Sequence, residues 1–305
     1  VYLDSCALRW DEQRQQFVEQ ALRDLTWSAL DVGVQFGAVL VERLRTFGGR
    51  LPPALGLHRE RLQRGMEALG VRLSFSLGAW EQELERLLNV NRQLLNEQLD
   101  CSLVTTVSPG SPELGVHEGT CMMYLQPLPW ERMRAWLSAG TELYTSGYCS
   151  GAGDCWPASI KSRSRLSYYL ADRSVRGGAL ALLQTRAGNV SDTSVANLVV
   201  STRGGGLVSP KRDQIVYGTS LQWVEQLLAE RHEAIEFRDV AWGELQEARE
   251  LILVGNSGCL WHARSLDDQV IGEGVAGPIC CGLREAWIQR IGFDWYRQAF
   301  QHRAE

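Results

Sequence analysis

Two prolines in the stretch Gln126-Pro127-Leu128-Pro129 divide this chain more sharply than any other feature. Neither a helix nor a sheet ladder runs through such a stretch, because proline fixes φ and lacks the backbone donor. The two sides read differently. Before the prolines, helical and strand patterns mix without regular alternation. Residues 39–47 read as a strand that turns at Gly48-Gly49. Leu62, Met66 and Leu69 put one apolar face on a helix over 58–69, and Leu84, Leu87, Leu88, Val90 and Leu94 do so over 79–95. Phe17, Val18, Ala21, Leu22 and Leu25 predict a further helix over 11–25. Residues 103–107 are β-rich and stop at Pro109-Gly110. After the prolines, strands are expected at 142–146, 179–185, 197–202, 250–254 and 258–263, with helices at 163–174, 219–231 and 283–290. A chain of 305 residues has room for two cores. The expected fold is α+β in two domains, a smaller N-terminal α/β domain over 1–127 and a larger, strand-rich C-terminal domain over 128–305.

The net charge of −5 gives no attraction to nucleic acid or to an anionic membrane. No apolar run approaches the roughly 20 residues that span a bilayer. The start, Val1-Tyr2-Leu3-Asp4, lacks the regions of a signal peptide, so a cytoplasmic location is expected. The eight cysteines are scattered and without metal-ligand spacing. Reduced thiols and no metal are expected.

Arginine supplies almost all the positive charge, and Lys161 and Lys211 are the only lysines. Lys211 stands among Ser209, Pro210, Arg212 and Asp213, a solvated loop composition. Lys161 instead follows Trp156-Pro157-Ala158-Ser159-Ile160. An amine among apolar groups loses its proton readily and attacks carbonyls. Beyond it, Asp192 is followed five positions on by Asn197 at the start of a strand. Tyr217-Gly218-Thr219-Ser220 opens a helix, and Gly255-Asn256-Ser257-Gly258 follows a strand. Both are seats for an anion. Read alone, Thr219 and Ser220 serve equally as helix caps, Gly255 and Asn256 as a β-turn, and Asp192 as an Asx-turn residue.

The order of these features resembles the fold-type IV family of pyridoxal-phosphate enzymes, which includes branched-chain and D-amino-acid aminotransferases and aminodeoxychorismate lyase. Asp31-Val32-Gly33-Val34-Gln35-Phe36-Gly37 is similar to the family's D-x-G-x-x-x-G segment, and His58-Arg59-Glu60-Arg61-Leu62 to its H-x-x-R-L helix. The resemblance implies that Lys161 is the Schiff-base lysine and that pyridoxal 5'-phosphate is the cofactor. It implies that Arg61, Thr219, Ser220, Gly255 and Asn256 hold the phosphate, that Asp192 faces the pyridine nitrogen, and that Asn197 belongs to the same cofactor site. The family has glutamate at the position of Asp192. The implied activity is transfer of an amino group between an amino acid and a 2-oxo acid. A homodimer is implied too, with the site between the domains. A lyase of the same fold and a non-catalytic relative are the competing readings.

The substrate side departs from the family. Where the D-amino-acid branch has a carboxylate-binding arginine, the segment Val104-Thr105-Thr106-Val107-Ser108 has no cation. That branch also has a tyrosine where Val41 stands. Glu42, in place of the lyase branch's threonine, agrees with the aminotransferases. Arg43 or Arg45 is a candidate carboxylate ligand, and Tyr168 a candidate pocket residue. Surface and core roles are the competing readings for these three.

Overall fold

The computed structural model describes residues 4–93, 95, 100–112, 119–151, 153, 155–158 and 160–301. The chain forms two compact units. The first is Val1–Leu128 together with Ser159–Ser164, and the second is Pro129–Ala158 with Arg165–Glu305. The break falls beside the two prolines, and the segment carrying Lys161 packs with the first unit.

The first unit is a five-stranded antiparallel sheet with its two longer helices on one face. Its strands are β1 (Cys6–Asp11), β2 (Gln16–Ala21), β3 (Leu40–Arg45), β4 (Cys101–Ser108) and β5 (Thr120–Pro127), in the order β2-β1-β5-β4-β3. Its helices are α1 (Val32–Phe36), α2 (Leu55–Leu69) and α3 (Leu77–Val90). The register aligns Glu42 with Thr105 and Met123, and Leu44 with Leu103 and Leu125. Helices cover this face: Trp80 of α3 donates to Thr105 Oγ1 at 2.9 Å, and α2 reaches Glu42 through His58 and Arg61. The opposite face carries Val41, Arg43 and Arg45, aligned with Thr106, Val104 and Ser102, and beyond them Met122, Tyr124 and Gln126.

The helix expected over 11–25 is instead the β1–β2 hairpin. Trp10 lies opposite Phe17, and their rings meet at 5.2 Å and pack on Phe75. This aromatic cluster outweighs the helical spacing of Phe17, Val18 and Ala21. The helix at 79–95 begins at Leu77, where Ser76 caps it by accepting from the Ala79 amide, and ends at Val90. Leu94 lies outside the described residues.

The second unit is built on a nine-stranded mixed sheet in the order β11-β10-β9-β12-β13-β6-β7-β8, with β14 added on β13. The elements are α4 (Trp130–Ala139), β6 (Thr141–Cys149), α5 (Leu166–Ser174), β7 (Leu180–Gln184), β8 (Val190–Thr193), β9 (Asn197–Ser201), β10 (Leu207–Pro210), α6 (Thr219–Ala229), β11 (Ile235–Arg238), α7 (Trp242–Gln246), β12 (Glu250–Gly255), β13 (Cys259–Leu266), β14 (Gln269–Val270), α8 (Pro278–Ile291) and α9 (Trp295–Gln301). The central strands β9, β12 and β13 are buried along nearly all their length, which is why they read as continuous apolar runs. The expected helix over 163–174 begins later, at Leu166, because residues 161–163 pair with the strand edge at residues 39–41. The eight cysteines are free thiols. Among the described residues no helix is long and apolar enough to cross a membrane.

Candidate active site

In the first unit the chemistry gathers at both faces of β3. On the helical face, Glu42 is buried and accepts from Arg61 Nε at 2.7 Å, Arg61 Nη2 at 2.6 Å and His58 Nδ1 at 2.8 Å. His58 and Arg61 are three apart on α2, so both side chains project from one helix face. Burial alone would push the Glu42 carboxyl up, but the Arg61 charge and the hydrogen bonds from Arg61 and His58 hold it well below the usual carboxylate range. His58 moves down. Burial is the largest cause, Glu42 opposes it, and the charges of Arg61 and Lys161 add to it. The ring is therefore neutral at pH 7, and its proton sits on Nδ1, because the ionised Glu42 can only accept. Two of the three Arg61 nitrogens bond to Glu42, which leaves Nη1 for any further anion.

Lys161 lies on an extended segment along the free edge of β3. The Val41 amide donates to the Lys161 carbonyl at 2.9 Å, the Arg163 amide donates to the Val39 carbonyl at 2.8 Å, and Leu40 faces Ser162. This register sets Lys161 opposite Val41, on the face that carries Arg43. Lys161 is half-buried. Lys211 instead pairs with Asp239 at 2.5 Å on the surface of the other unit.

The two arginines of β3 have different surroundings. Arg45 is fully buried, its guanidinium 5.2 Å from the centre of the Phe47 ring. Arg43 is half-buried and donates through Nη2 to Gln126 Oε1. Arg163 is exposed and reaches the Tyr124 hydroxyl at 3.3 Å through its own Nη2. Burial, and then the charge of Arg163, lower the proton affinity of Arg43.

In the second unit, Asp192 lies next to the end of β8 and Asn197 begins β9, and the two strands are joined by a turn in which Thr193 Oγ1 accepts from the Val195 and Ala196 amides. The five-position spacing seen in the sequence spans this turn. Asp192 is buried, and the Tyr168 hydroxyl of α5 donates to its Oδ1 at 2.8 Å. The Arg165 guanidinium lies 3.9 Å over the Tyr168 ring and donates to the Ser194 carbonyl at 2.6 Å. In the structure the Tyr168 hydroxyl is engaged with Asp192, a partner that the sequence did not indicate.

Burial pushes the Asp192 carboxyl up to about 6, while the Tyr168 hydroxyl, the Arg165 charge and the Val216 amide pull it down. The folded chain therefore binds this proton more tightly than the unfolded chain, in which an aspartate titrates near about 4. Cofactor-free protein should lose stability as pH rises between those two values and level off above about 6, a change on the order of 2 to 3 kcal/mol. Urea midpoints measured across that range should fall less for Asp192→Asn than for the parent chain. Parallel curves would contradict this.

The remaining residues surround the start of α6. Asn197 clamps the loop before it, donating through Nδ2 to the Val216 carbonyl at 3.1 Å and accepting from the Gly218 amide at 3.0 Å. A Cβ at Gly218 would lie 2.4 Å from Asn197 Oδ1, and one at Gly255 would lie 2.5 Å from the Val195 carbonyl oxygen. Both glycines therefore permit close backbone approach. Val254 is the register partner of Asn197, so the Gly255-Asn256 turn adjoins the same strand end. Thr219 and Ser220 are the buried first residues of α6, and no N-cap side chain closes that helix. Asn256 Nδ2 is buried and has no hydrogen-bond partner among the described residues. A helix start, a glycine turn and an unsatisfied buried amide together suit a phosphate.

The model of the family described as amino-transferase class IV matches residues 39–266. The chain belongs to this family. The D-alanine aminotransferase of Bacillus licheniformis is 24% identical over 261 residues, covering 84% of this chain and 88% of that protein. The branched-chain-amino-acid aminotransferase-like protein 1 of Arabidopsis thaliana is also 24% identical, over 85% of this class IV chain, which spans only 47% of the plant protein. Among solved structures, the T.th. branched-chain amino acid aminotransferase with pyridoxamine 5'-phosphate superposes with a TM-score of 0.79 at 19% identity, covering 95% of each chain. The 4-amino-4-deoxychorismate lyase of Pseudomonas aeruginosa gives 0.71 at 22% identity, covering 88% of this chain and 97% of its own. These likenesses establish the fold-type IV architecture. The class IV family is one of enzymes that use pyridoxal phosphate, the cofactor expected from the sequence.

Proposed function

We propose that this class IV chain is an aminotransferase that moves an amino group between an amino acid and a 2-oxo acid. The observation that carries the reading is the placement of Lys161. It is one of two lysines, and it is fixed by backbone hydrogen bonds beside the strand that holds Glu42 and Arg43. The other lysine sits in an exposed ion pair.

The residues present fit pyridoxal phosphate. The α6 start, the Gly255 turn and the unsatisfied Asn256 amide, all of the second unit, suit its phosphate. When bound, the cofactor supplies the electron sink for chemistry at the substrate α-carbon. Asp192 would hold a proton at the pyridine nitrogen. Its elevated proton affinity stems from burial, and a cationic partner would lower it again. Tyr168 orients that carboxylate through its hydroxyl. Lys161 would anchor the cofactor and carry a proton to and from the α-carbon. The Glu42–Arg61–His58 cluster fixes α2 against β3 and keeps Arg61 in place. The same reading has the protein work as a homodimer in the cytoplasm, and light scattering of the cofactor-loaded protein tests the dimer.

A carbon–carbon lyase is the second reading, because the 4-amino-4-deoxychorismate lyase of Pseudomonas aeruginosa shares this fold. A coupled assay with several amino donors and 2-oxo acids separates the two. Amino transfer supports the first reading, and pyruvate release from aminodeoxychorismate without transfer supports the lyase. A protein that stays colourless with added cofactor is a non-catalytic relative, and both readings then fail.

A further inference from the structure

We propose that Arg43 and Arg163, together with the Tyr124 hydroxyl, bind a carboxylate of the substrate, in place of an arginine on β4. The inference rests on the reading of Lys161 as the reactive amine, and all its geometry lies within the first unit.

The register places these groups on one face. Arg43 aligns with Val104 and Tyr124 across β3, β4 and β5. Arg163 follows Lys161 by two residues on the segment paired with Val39 and Val41. Side chains two apart on an extended strand share a face, about 7 Å from each other. Arg43 and Arg163 thus stand on either side of the Val41–Lys161 pair along the strand direction. Both long side chains lean over the sheet, Arg43 onto Gln126 and Arg163 onto Tyr124.

Their charge is not balanced locally. Among the described residues neither guanidinium takes part in an ion pair, and each hydrogen-bonds to a neutral oxygen. On the opposite face of the same strand, Glu42 neutralises Arg61. Two cations close enough to disfavour each other, one of them half-buried, repel unless an anion joins them. The forked guanidinium matches a carboxylate, and the Tyr124 hydroxyl, which accepts from Arg163, has its own proton to donate. The substrates of the proposed reaction carry such a group, and β4 offers no cation for it.

The experiment is a spectral titration of cofactor-loaded protein with D- and L-alanine, D- and L-glutamate, alaninamide and glutamine. It is run on the parent chain and on Arg43→Met, Arg163→Met and Arg43→Lys. The parent should bind the carboxylate member of at least one matched pair 10- to 100-fold more tightly than the amide, the range set by one or two charge-assisted hydrogen bonds (~10- to 100-fold). Alanine against alaninamide reports the α-carboxylate, and glutamate against glutamine the distal one. In each methionine variant that preference should fall towards one, while the cofactor spectrum is retained. Arg43→Lys should keep part of it. Arg163 is exposed, so Arg163→Met decides the matter if Arg43→Met does not fold. A parent without preference, or variants that keep it in full, overturns the proposal. A parent that takes up no cofactor instead overturns the aminotransferase reading itself.

Discussion

Replacing Lys161 with alanine is expected to leave a folded protein that shows no covalent cofactor band and has lost amino transfer by roughly 10²- to 10⁴-fold, the range for removing a positioned acid–base group. The side chain is half-buried and lies on an extended segment held by backbone hydrogen bonds, which the substitution keeps. Its cost in stability should therefore be small, within about 0.5 kcal/mol. Absorbance spectra and single-turnover rates with an amino donor, together with a denaturation curve, check both halves. Cofactor bound through phosphate contacts alone would still be retained, with an altered spectrum. A variant with unchanged spectrum and rate would exclude Lys161 as the reactive amine.

The largest effect on stability is expected at Glu42. Its carboxylate holds Arg61 through two hydrogen bonds and His58 through a third, all buried. Glu42→Ala leaves the Arg61 guanidinium without its counter-charge, a change that costs about 3–5 kcal/mol when one partner of a buried pair is removed. Replacing Glu42 and Arg61 together by apolar residues should cost much less, because no charge is then stranded. The sign of the pH dependence follows from the depressed Glu42 proton affinity. Its stabilisation is fully present above the unfolded carboxylate value of about 4.3 and is lost as pH falls towards the folded value. Urea denaturation near neutral pH should thus separate Glu42→Ala clearly from the parent, and the gap should narrow in acid. A difference below about 1 kcal/mol at neutral pH would mean that the pair is screened.

Much of this molecule is legible in its sequence where periodicity and chemistry agree. The helix over Leu55–Leu69 shows in Leu62, Met66 and Leu69, and its polar residues His58 and Arg61 meet Glu42 of the strand expected at 39–47. The buried strands over Asn197–Ser201 and Glu250–Gly255 read as apolar runs. The β1–β2 hairpin did not show. Its turn contains no glycine or asparagine, and Gln15 takes the positive φ of 51° that such residues usually supply. Lys161 stood out because lysine is rare here, and Asp192 and Asn197 because a turn of fixed length separates them. Tyr124 and Gln126 were not legible. They reach Arg163 and Arg43 only through the register of β3, β4 and β5, and strand register lies outside what local sequence spacing records. Arg163 had a signal, its two-residue offset from Lys161, but that offset means a shared face only in an extended segment, and the sequence there reads as the start of a helix.

The scarcity of lysine also makes the central claim directly testable. Protein loaded with pyridoxal phosphate, reduced with borohydride and digested, has only Lys161 and Lys211 to carry the label on a side chain. Peptide mass spectrometry should find the phosphopyridoxyl group on the peptide containing Lys161 and leave the Lys211 peptide unmodified. Label confined to Lys211, or absent from both peptides, would contradict the account.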